Sequence, residues 1–155
     1  MTVSLVPMSS ERLRPWIQQI RSEYIESRIQ SGDTLEAATA NADASFERSF
    51  VEGVPREGHL VYDVLSDDRP VGYLWLGPQS PPQSGFWWVW DIAIDPAHQR
   101  RGYGREALLL GEAEVAHRDG KILGLNVFGF NVGARALYES LGYETTAVQM
   151  RKVLG

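Results

Sequence analysis

The chain contains no cysteine, which excludes disulfides, thiolate zinc sites and thiol nucleophiles. No stretch approaches the ~18 apolar residues of a membrane-spanning helix. Positive charge is in deficit, with 15 Lys and Arg against 20 Asp and Glu and a net charge of −5, which argues against a nucleic-acid scaffold. Histidine is scarce: His59, His98 and His117 are the three, none pairs with another at ligand spacing, and no metal is expected. The opening MTVSLVPMSSERLR lacks a basic region followed by an apolar run, so no signal peptide is read and the expected location is cytoplasmic. There is no internal repeat and no linker long enough to divide the chain, so residues 1–155 are expected to form a single domain, long enough for a full core.

Against these absences, one stretch is dense in signals. In Trp87 to Arg105, WWVWDIAIDPAHQRRGYGR, residues 89–94 are rich in β-branched and aromatic side chains, as a largely buried strand requires. Asp95-Pro96 ends that strand, because proline cannot donate to a ladder. Gln99-Arg100-Arg101-Gly102-Tyr103-Gly104 follows and opens the helical run REALLLGEAEVAHR. Unpaired N–H groups and the positive dipole end point outward from a helix start, and glycine lets an anion approach the backbone. Arg100, Arg101 and Arg105 add a local basic patch to an acidic protein. A ligand carrying phosphates is the expectation.

The rest of the chain reads as alternating blocks. Thr2 to Met8 is a first strand. Ser9-Ser10 caps a helix whose apolar face is Leu13, Trp16, Ile17, Ile20, Tyr24 and Ile25, ended by Ser31-Gly32. Asp33 with Glu36 resembles a capping box for a second helix, closed by Gly53 and Pro55. HLVYDVL and VGYLWL are strands joined by the turn Ser66 to Pro70, and GPQSPPQSG is a proline- and serine-rich loop. After the central strand and helix, Gly120 is read as an αL C-cap. KILGLNVFGF is a further strand, Asn131 to Leu141 a short helix ended by Gly142, and TTAVQMRKVL a closing strand that can be split in two. A mixed sheet with helices on its faces is predicted, in the order β-α-α-β-β-β-α-β-α-β-β.

That order is not the regular alternation of a doubly wound fold, and the glycines do not form G-x-G-x-x-G in a first βαβ unit. A P-loop is also absent, because no Gly-Lys-Ser/Thr follows. A second group lies downstream. Asn131, Ala134 and Tyr138 fall on one face of the short helix. They offer an amide for a ligand's carbonyl, a small residue, and a phenol one turn on. The competing reading is a helix cap at Asn131 and a core tyrosine at Tyr138.

These pieces together resemble the GNAT superfamily of acyl-CoA-dependent N-acetyltransferases. The strand DIAIDP with QRRGYG matches its Q/R-x-x-G-x-G/A signature at every fixed position; LNVFGFN carries its asparagine at Asn131; ARALYESLGY carries Tyr138 and the Leu141-Gly142-Tyr143 helix exit. The resemblance spans roughly residues 89–143, and the upstream element order agrees with it. It implies an α/β (α+β) fold with a mostly antiparallel sheet, acetyl-CoA as co-substrate, and acetyl transfer to a primary amine of a small molecule or protein. It also implies that Arg100, Arg101, Gly102, Tyr103, Gly104 and Arg105 hold the pyrophosphate. The backbone of Ile92, Ala93 and Ile94 would pair the pantetheine arm at a bulge where two strands splay, and supply an oxyanion donor. Asn131 would bond the arm, and Tyr138 would protonate or hydrogen-bond the departing thiolate, a phenol of pKa near ~10 facing a thiol near ~8.5. No nucleic acid or membrane partner is implied, and a homodimer is an allowed assembly.

The base is where the motif departs from the family. Some members use a glutamate at the position of Asn126, and an amide cannot accept a proton; Asn126 is left to orient the substrate or hold a water. Asp91, an acid inside the aromatic run WWVWDI, is the alternative, because burial raises a carboxyl pKa towards a useful range. Glu23, Tyr24 and Glu26 on the first helix are weaker candidates. Trp75, Phe86, Trp87, Trp88 and Trp90 are read chiefly as sheet packing. The other function class is a non-catalytic acyl-CoA-binding sensor, favoured by the missing carboxylate at Asn126 and opposed by Tyr138.

Overall fold

The computed structural model describes residues 2–79 and 82–155; part of the proline- and serine-rich loop, Ser80 and Pro81, lies outside them. The elements run β1 (Val3–Pro7), α1 (Ser10–Gln30), α2 (Leu35–Ser49), β2 (Phe50–Val51), β3 (Val54–Pro55), β4 (Leu60–Ser66), β5 (Arg69–Pro78) and β6 (Phe86–Ile94). A 3-10 turn at Pro96–His98 leads to α3 (Tyr103–His117), β7 (Ile122–Leu125) and α4 (Val132–Ser140). Five strands form one sheet in the order β1-β4-β5-β6-β7, and β2 pairs only with β3. All neighbours are antiparallel except β6 and β7, which run parallel.

Strand alternation divides the apolar residues between two faces. On one face Val64, Val71, Leu74, Leu76 and Val89 pack against Tyr103, Ala107, Leu108 and Val115 of α3. On the other, Val61 and Trp75 pack against Leu13, Trp16 and Ile20 of α1 and against Phe50, with Phe46 of α2 and Trp90 alongside. Leu137 and Tyr138 of α4 join the α3 cluster. The β4–β5 hairpin turns on Asp67 and Asp68, both with positive φ (48° and 68°), as a two-residue turn matched to strand twist demands. An ion pair of 3.0 Å between Arg12 and Asp63 ties α1 to β4.

Several local expectations are corrected. The cap of α2 is Thr34, whose hydroxyl accepts from the Ala37 N–H at 3.1 Å; Asp33 instead pairs with Arg28 at 2.6 Å. Gly53 and Pro55 do not close that helix, which ends at Ser49, but belong to the small β2–β3 hairpin. At the end of α3 the left-handed residue is Asp119 (φ 63°), not Gly120. Gly120 is small for a different reason: a Cβ there would meet Val115 at 2.3 Å and Trp87 at 2.8 Å. The strand read over KILGLNVFGF stops at Leu125. The closing strand over TTAVQMRKVL is not formed, and residues 144–155 carry no regular element.

Leu74 is fully buried at the centre of the sheet, beneath α3. Leu74→Ala is expected to destabilise the fold by about 2–5 kcal/mol, read from denaturant unfolding.

Candidate active site

The site begins where two strands part. β6 pairs with β7 from Phe86↔Ile122 to Val89↔Leu125; β7 then ends while β6 continues to Ile94. Along Trp90 to Ile94 the β7-facing edge of β6 is therefore unpaired, although its other edge stays bonded to β5 through Ile94↔Gly72. The backbone of Ile92, Ala93 and Ile94 lies on this open edge. The bulge falls two residues before the stretch Ile92 to Ile94 where the resemblance implied it. Trp75 faces Asp91 and Leu76 faces Val89, so Trp90 is the extra residue. A bulge breaks alternation. Trp90 packs with the α1 cluster, Asp91 bonds Tyr73 on that same side, and Ile92 returns to the α3 cluster.

Asp91 is thus a carboxyl inside an apolar wall. Burial, reinforced by the charge of Glu23 on α1, pushes it up to about 6, against the downward pull of hydrogen bonds from Tyr73 and from the Ile92 N–H. The Tyr73 hydroxyl donates to Asp91 Oδ2 at 2.8 Å. Burial and the neighbouring Asp91 charge hold that phenol far above its ordinary range, fully protonated. Trp16 braces the Tyr73 ring edge-on, with centroids 5.4 Å apart. Tyr73 is the residue that sequence reading missed. No local signal marks it: the register that sets β5 against β6, Tyr73↔Ala93 and Trp75↔Asp91, brings position 73 within diagonal reach of position 91.

Tyr138 of α4 comes to the same place from the opposite layer. Burial raises its phenol, the charge of Asp91 raises it further, and it is pushed up to about 12. It therefore stays protonated at neutral pH and can act as a hydrogen-bond donor. Asn131 is the N-cap of α4, its Oδ1 accepting from the Ala134 N–H at 3.4 Å. That bond uses the amide oxygen and leaves Nδ2 as a donor, so capping and ligand binding are compatible. Asn126 is exposed and lies one residue beyond β7 rather than on it. Glu23 is exposed and accepts from Gln19 at 3.0 Å, while Tyr24 packs on Phe46.

The turn after β6 leads into the start of α3. Gln99 Nε2 donates to the Ile94 carbonyl at 2.9 Å, locking the turn to the strand end. Arg100 (φ 64°) and Gly102 (φ 83°) both sit in the left-handed region. Gly102 is the N-cap of α3 and gives it no side-chain hydrogen bond, so the first-turn N–H groups are free. A Cβ on Gly102 would meet nothing within 4 Å, whereas one on Gly104 would touch Leu137 and Ile94 at 3.5 and 3.8 Å. Gly102 therefore leaves open space beside the helix start, and Gly104 lies at ordinary contact distance from Leu137 of α4. Arg100 and Arg101 are exposed, Tyr103 is buried against the sheet, and Arg105 reaches Ser140 at 3.4 Å.

A separate cleft of about 600 Å³ opens on the α1–α2 face, lined by Glu47, Arg48, Arg56, His59, Pro78 and Trp90 among others. Trp90 joins it to the wall that carries Asp91, but Asp91 does not line it. His59 Nδ1 accepts from the Trp75 indole at 3.0 Å. Burial and the Arg56 charge lower its pKa to about 4, so it is neutral and carries its proton on Nε2.

The profile of the acetyltransferase (GNAT) family matches residues 17–143, and the chain belongs to that family, whose members move an acetyl group from acetyl-CoA. It is 29% identical, over 99% of its length and 100% of the relative's, to the uncharacterized N-acetyltransferase YycN of Bacillus subtilis. The crystal structure of YycN superposes with a TM-score of 0.88 at 26% identity over 99% of both chains. Over 61 residues, 39% of this chain and 41% of the relative, it is 39% identical to the ribosomal protein bS18 alanine N-acetyltransferase of Escherichia coli. The fold is shared with the PaiA N-acetyltransferase of Thermoplasma acidophilum, solved with coenzyme A (TM-score 0.63, 17% identity, 96% and 94% covered). The chain is accordingly an acetyl-CoA-dependent N-acetyltransferase with the mixed, mostly antiparallel sheet that the resemblance implied.

The buried carboxyl has a stability consequence. Asp91's folded pKa, about 6, lies above the ordinary 3.8. Folding therefore favours its protonated form, and stability from this group is lost as pH rises from about 4 through 6. Asp91→Asn keeps an oxygen for Tyr73 and removes the charge. Thermal melts are expected to show a higher Tm for Asp91→Asn than for the parent at about pH 8, with the gap closing near pH 4.

Proposed function

We propose that the protein acetylates a primary amine, of a small molecule or a protein, with Asp91 as general base and Tyr138 as the group that receives the developing thiolate. The observation that carries this reading is a raised-pKa carboxyl at the parting of β6 and β7, electrostatically coupled to a protonated phenol from the opposite layer. Two titratable groups whose environments separate their roles are the usual mark of an acid–base pair. An amine nucleophile of pKa near ~10.4 must lose a proton during attack. Asp91, ionised above about pH 6, accepts it, while Tyr73 holds the carboxylate in place.

The open N–H groups of Ile92 to Ile94 are suited to the peptide-like pantetheine arm and to the oxyanion of the tetrahedral intermediate. Asn131 Nδ2 is suited to a carbonyl of the arm. The first-turn N–H groups of α3, with Arg100, Arg101 and Arg105, are suited to the pyrophosphate. When the C–S bond breaks, Tyr138 stabilises the thiolate by donation; a phenol near 12 hydrogen-bonds a thiolate more readily than it protonates one. Asn126, exposed beyond the strand, acts only through substrate or water. The carboxylate whose absence at Asn126 favoured a non-catalytic sensor is supplied by Asp91. The amine enters from the α1–α2 face, where Asp91, Trp90 and the adjoining cleft lie. We place this chemistry in the cytoplasm, in a homodimer, and read residues 1–155 as one domain, since both apolar clusters lean on one sheet.

Release of free CoA, followed across a panel of amines, tests the assignment. For the best acceptor, kcat/KM is expected to rise with pH through about 6, and Asp91→Asn to lose both that limb and at least ~10²-fold in rate. Tyr138→Phe is expected to lower kcat with little change in acetyl-CoA affinity. A parent-like pH profile in Asp91→Asn would sink Asp91 as the base. For the anion turn, Gly102→Ala is expected to cost about 1–2 kcal/mol of stability from its left-handed backbone yet still bind acetyl-CoA. Gly102→Asp is expected to bind at least ~10-fold more weakly by calorimetry, because a carboxylate would face the pyrophosphate.

A further inference from the structure

The cleft on the α1–α2 face carries charge that its own neighbours do not neutralise. Two cations edge it, Arg48 in the last turn of α2 and Arg56 directly after β3. Among the described residues neither is ion-paired, although Glu47 shares the lining. Arg56 is held in place. Its backbone N–H donates to the Ser49 carbonyl at 2.8 Å, and its Nε donates to the Glu47 carbonyl at 2.7 Å. The side chain is thus anchored at its neck, and its two Nη nitrogens remain as donors.

Arg56 also opens a tight turn, Arg56-Glu57-Gly58-His59. The His59 N–H closes it on the Arg56 carbonyl at 3.0 Å, with Gly58 at φ 88°, the backbone that glycine supplies at the third position of such a turn. The turn sets His59 beside Arg56. The imidazole lies over Gly77, where a Cβ would meet Nδ1 at 2.4 Å. Because Nδ1 accepts from the Trp75 indole and the ring is neutral, Nε2 is a donor. It has no partner within the described residues and is not among their buried unpartnered polar atoms, so it is open to the cleft that His59 lines. Trp90 stacks on Trp75 there, with centroids 5.7 Å apart at 27°. Its own indole N–H is bonded to the Pro78 carbonyl at 3.1 Å, which leaves its ring as an apolar surface. The cleft therefore sets two guanidinium groups and an imidazole N–H around an aromatic ring, with Glu47 the single acid among its described lining residues. Convergent N–H donors of this kind are complementary to an anion.

Resting on the placement of the reacting amine at Asp91, we propose that the acceptor carries an anionic group, a carboxylate or a phosphate, at the end remote from its amine, and that Arg48, Arg56 and His59 hold it. The strand register sets the span. Trp75 faces Asp91 on one side and Val61 on the other, and His59 lies two residues before Val61. Two strand spacings and two residues put the Cα atoms of Asp91 and His59 roughly 12 Å apart. An α-amino acid, with both groups on one carbon, is too short to engage both ends. A longer ω-amino carboxylate or aminoalkyl phosphate reaches both, with its apolar middle against Trp90.

Initial rates of CoA release test this across ω-amino carboxylates of graded length, their neutral amides, the matching aminoalkyl phosphates and the matching diamines. For the longer chains, kcat/KM is expected to be at least ~10-fold higher with an anionic end than with the neutral amide, and to rise with length from the α-amino acid upwards. The order of carboxylate and phosphate identifies the anion. Arg48→Gln and Arg56→Gln are each expected to shrink the anion-to-amide ratio at least ~3-fold. Arg56→Lys is expected to retain more of that ratio than Arg56→Gln, and Arg48→Glu to shift the preference towards the diamine. Equal rates for anionic and neutral amines, or a ratio unchanged in both glutamine variants, overturn the anion subsite and leave Asp91 as the base standing. If no member of the panel releases CoA, acetylation of such amines at Asp91 fails, and calorimetry of the same amines on the CoA-loaded parent decides the subsite. Anion-dependent binding that is lost in the glutamine variants upholds it, and binding indifferent to the anion overturns it.

Discussion

The parting of β6 from β7 is the feature on which everything else in the site depends. Two parallel strands that stay paired would satisfy every backbone group between them and leave nothing for a ligand. Here pairing ends at Val89 and Leu125, while β6 runs on to Ile94 under the support of β5. The result is a rigid strand with one unsatisfied edge, held in a defined conformation by the sheet on its other side. Polar backbone groups of this kind are costly when buried without partners, so a peptide-like ligand is the natural complement. The glycine turn at Gly102 begins just past the far end of the same strand, and Gln99 ties the two together.

A second constraint is the bulge at Trp90. It costs a ladder position, and in return it turns two consecutive side chains towards the α1–α2 layer. Without it, Asp91 and Trp90 would face opposite sides of the sheet. With it, an acid enters the wall formed by Trp16, Tyr73 and Trp75, where desolvation outweighs the hydrogen bonds that favour the charged form. The buried charge is a local loss of stability at the position of the proposed base, the kind of exchange of stability for activity that a base there would require. Tyr138 feels that charge from across the sheet edge, and so one carboxyl conditions both ends of the proposed proton path.

Much of this was legible in the residues, though unevenly. The turn into α3 was readable because its physics is local: a strand stop at Pro96, glycine where φ is positive at 102, and a helix start at Tyr103. The Asp67-Asp68 turn and the Asn131 cap were readable for the same reason. The cap at Thr34 and the left-handed residue at Asp119 were misplaced by a single position, since Asp33 and Gly120 satisfy the same local preferences as the residues chosen. Tyr73 was not legible at all. Nothing near it in sequence marks it, and its role comes from a partner 18 residues away. The tail misled because TTAVQMRKVL alternates like a strand, yet a strand forms only by pairing, and residues 144–155 carry no regular element.

The sequence by itself determined the family, most of the element types and the glycine turn that opens α3, because each rests on propensities and spacings within a few residues. The tertiary structure alone decided where β6 and β7 separate, which face Asp91 occupies, what protonation Asp91 and Tyr138 carry, and that residues 144–155 form no strand. Those properties are set by cross-strand register and by the depth of low-dielectric packing around a group, and neither exists until distant segments are brought together.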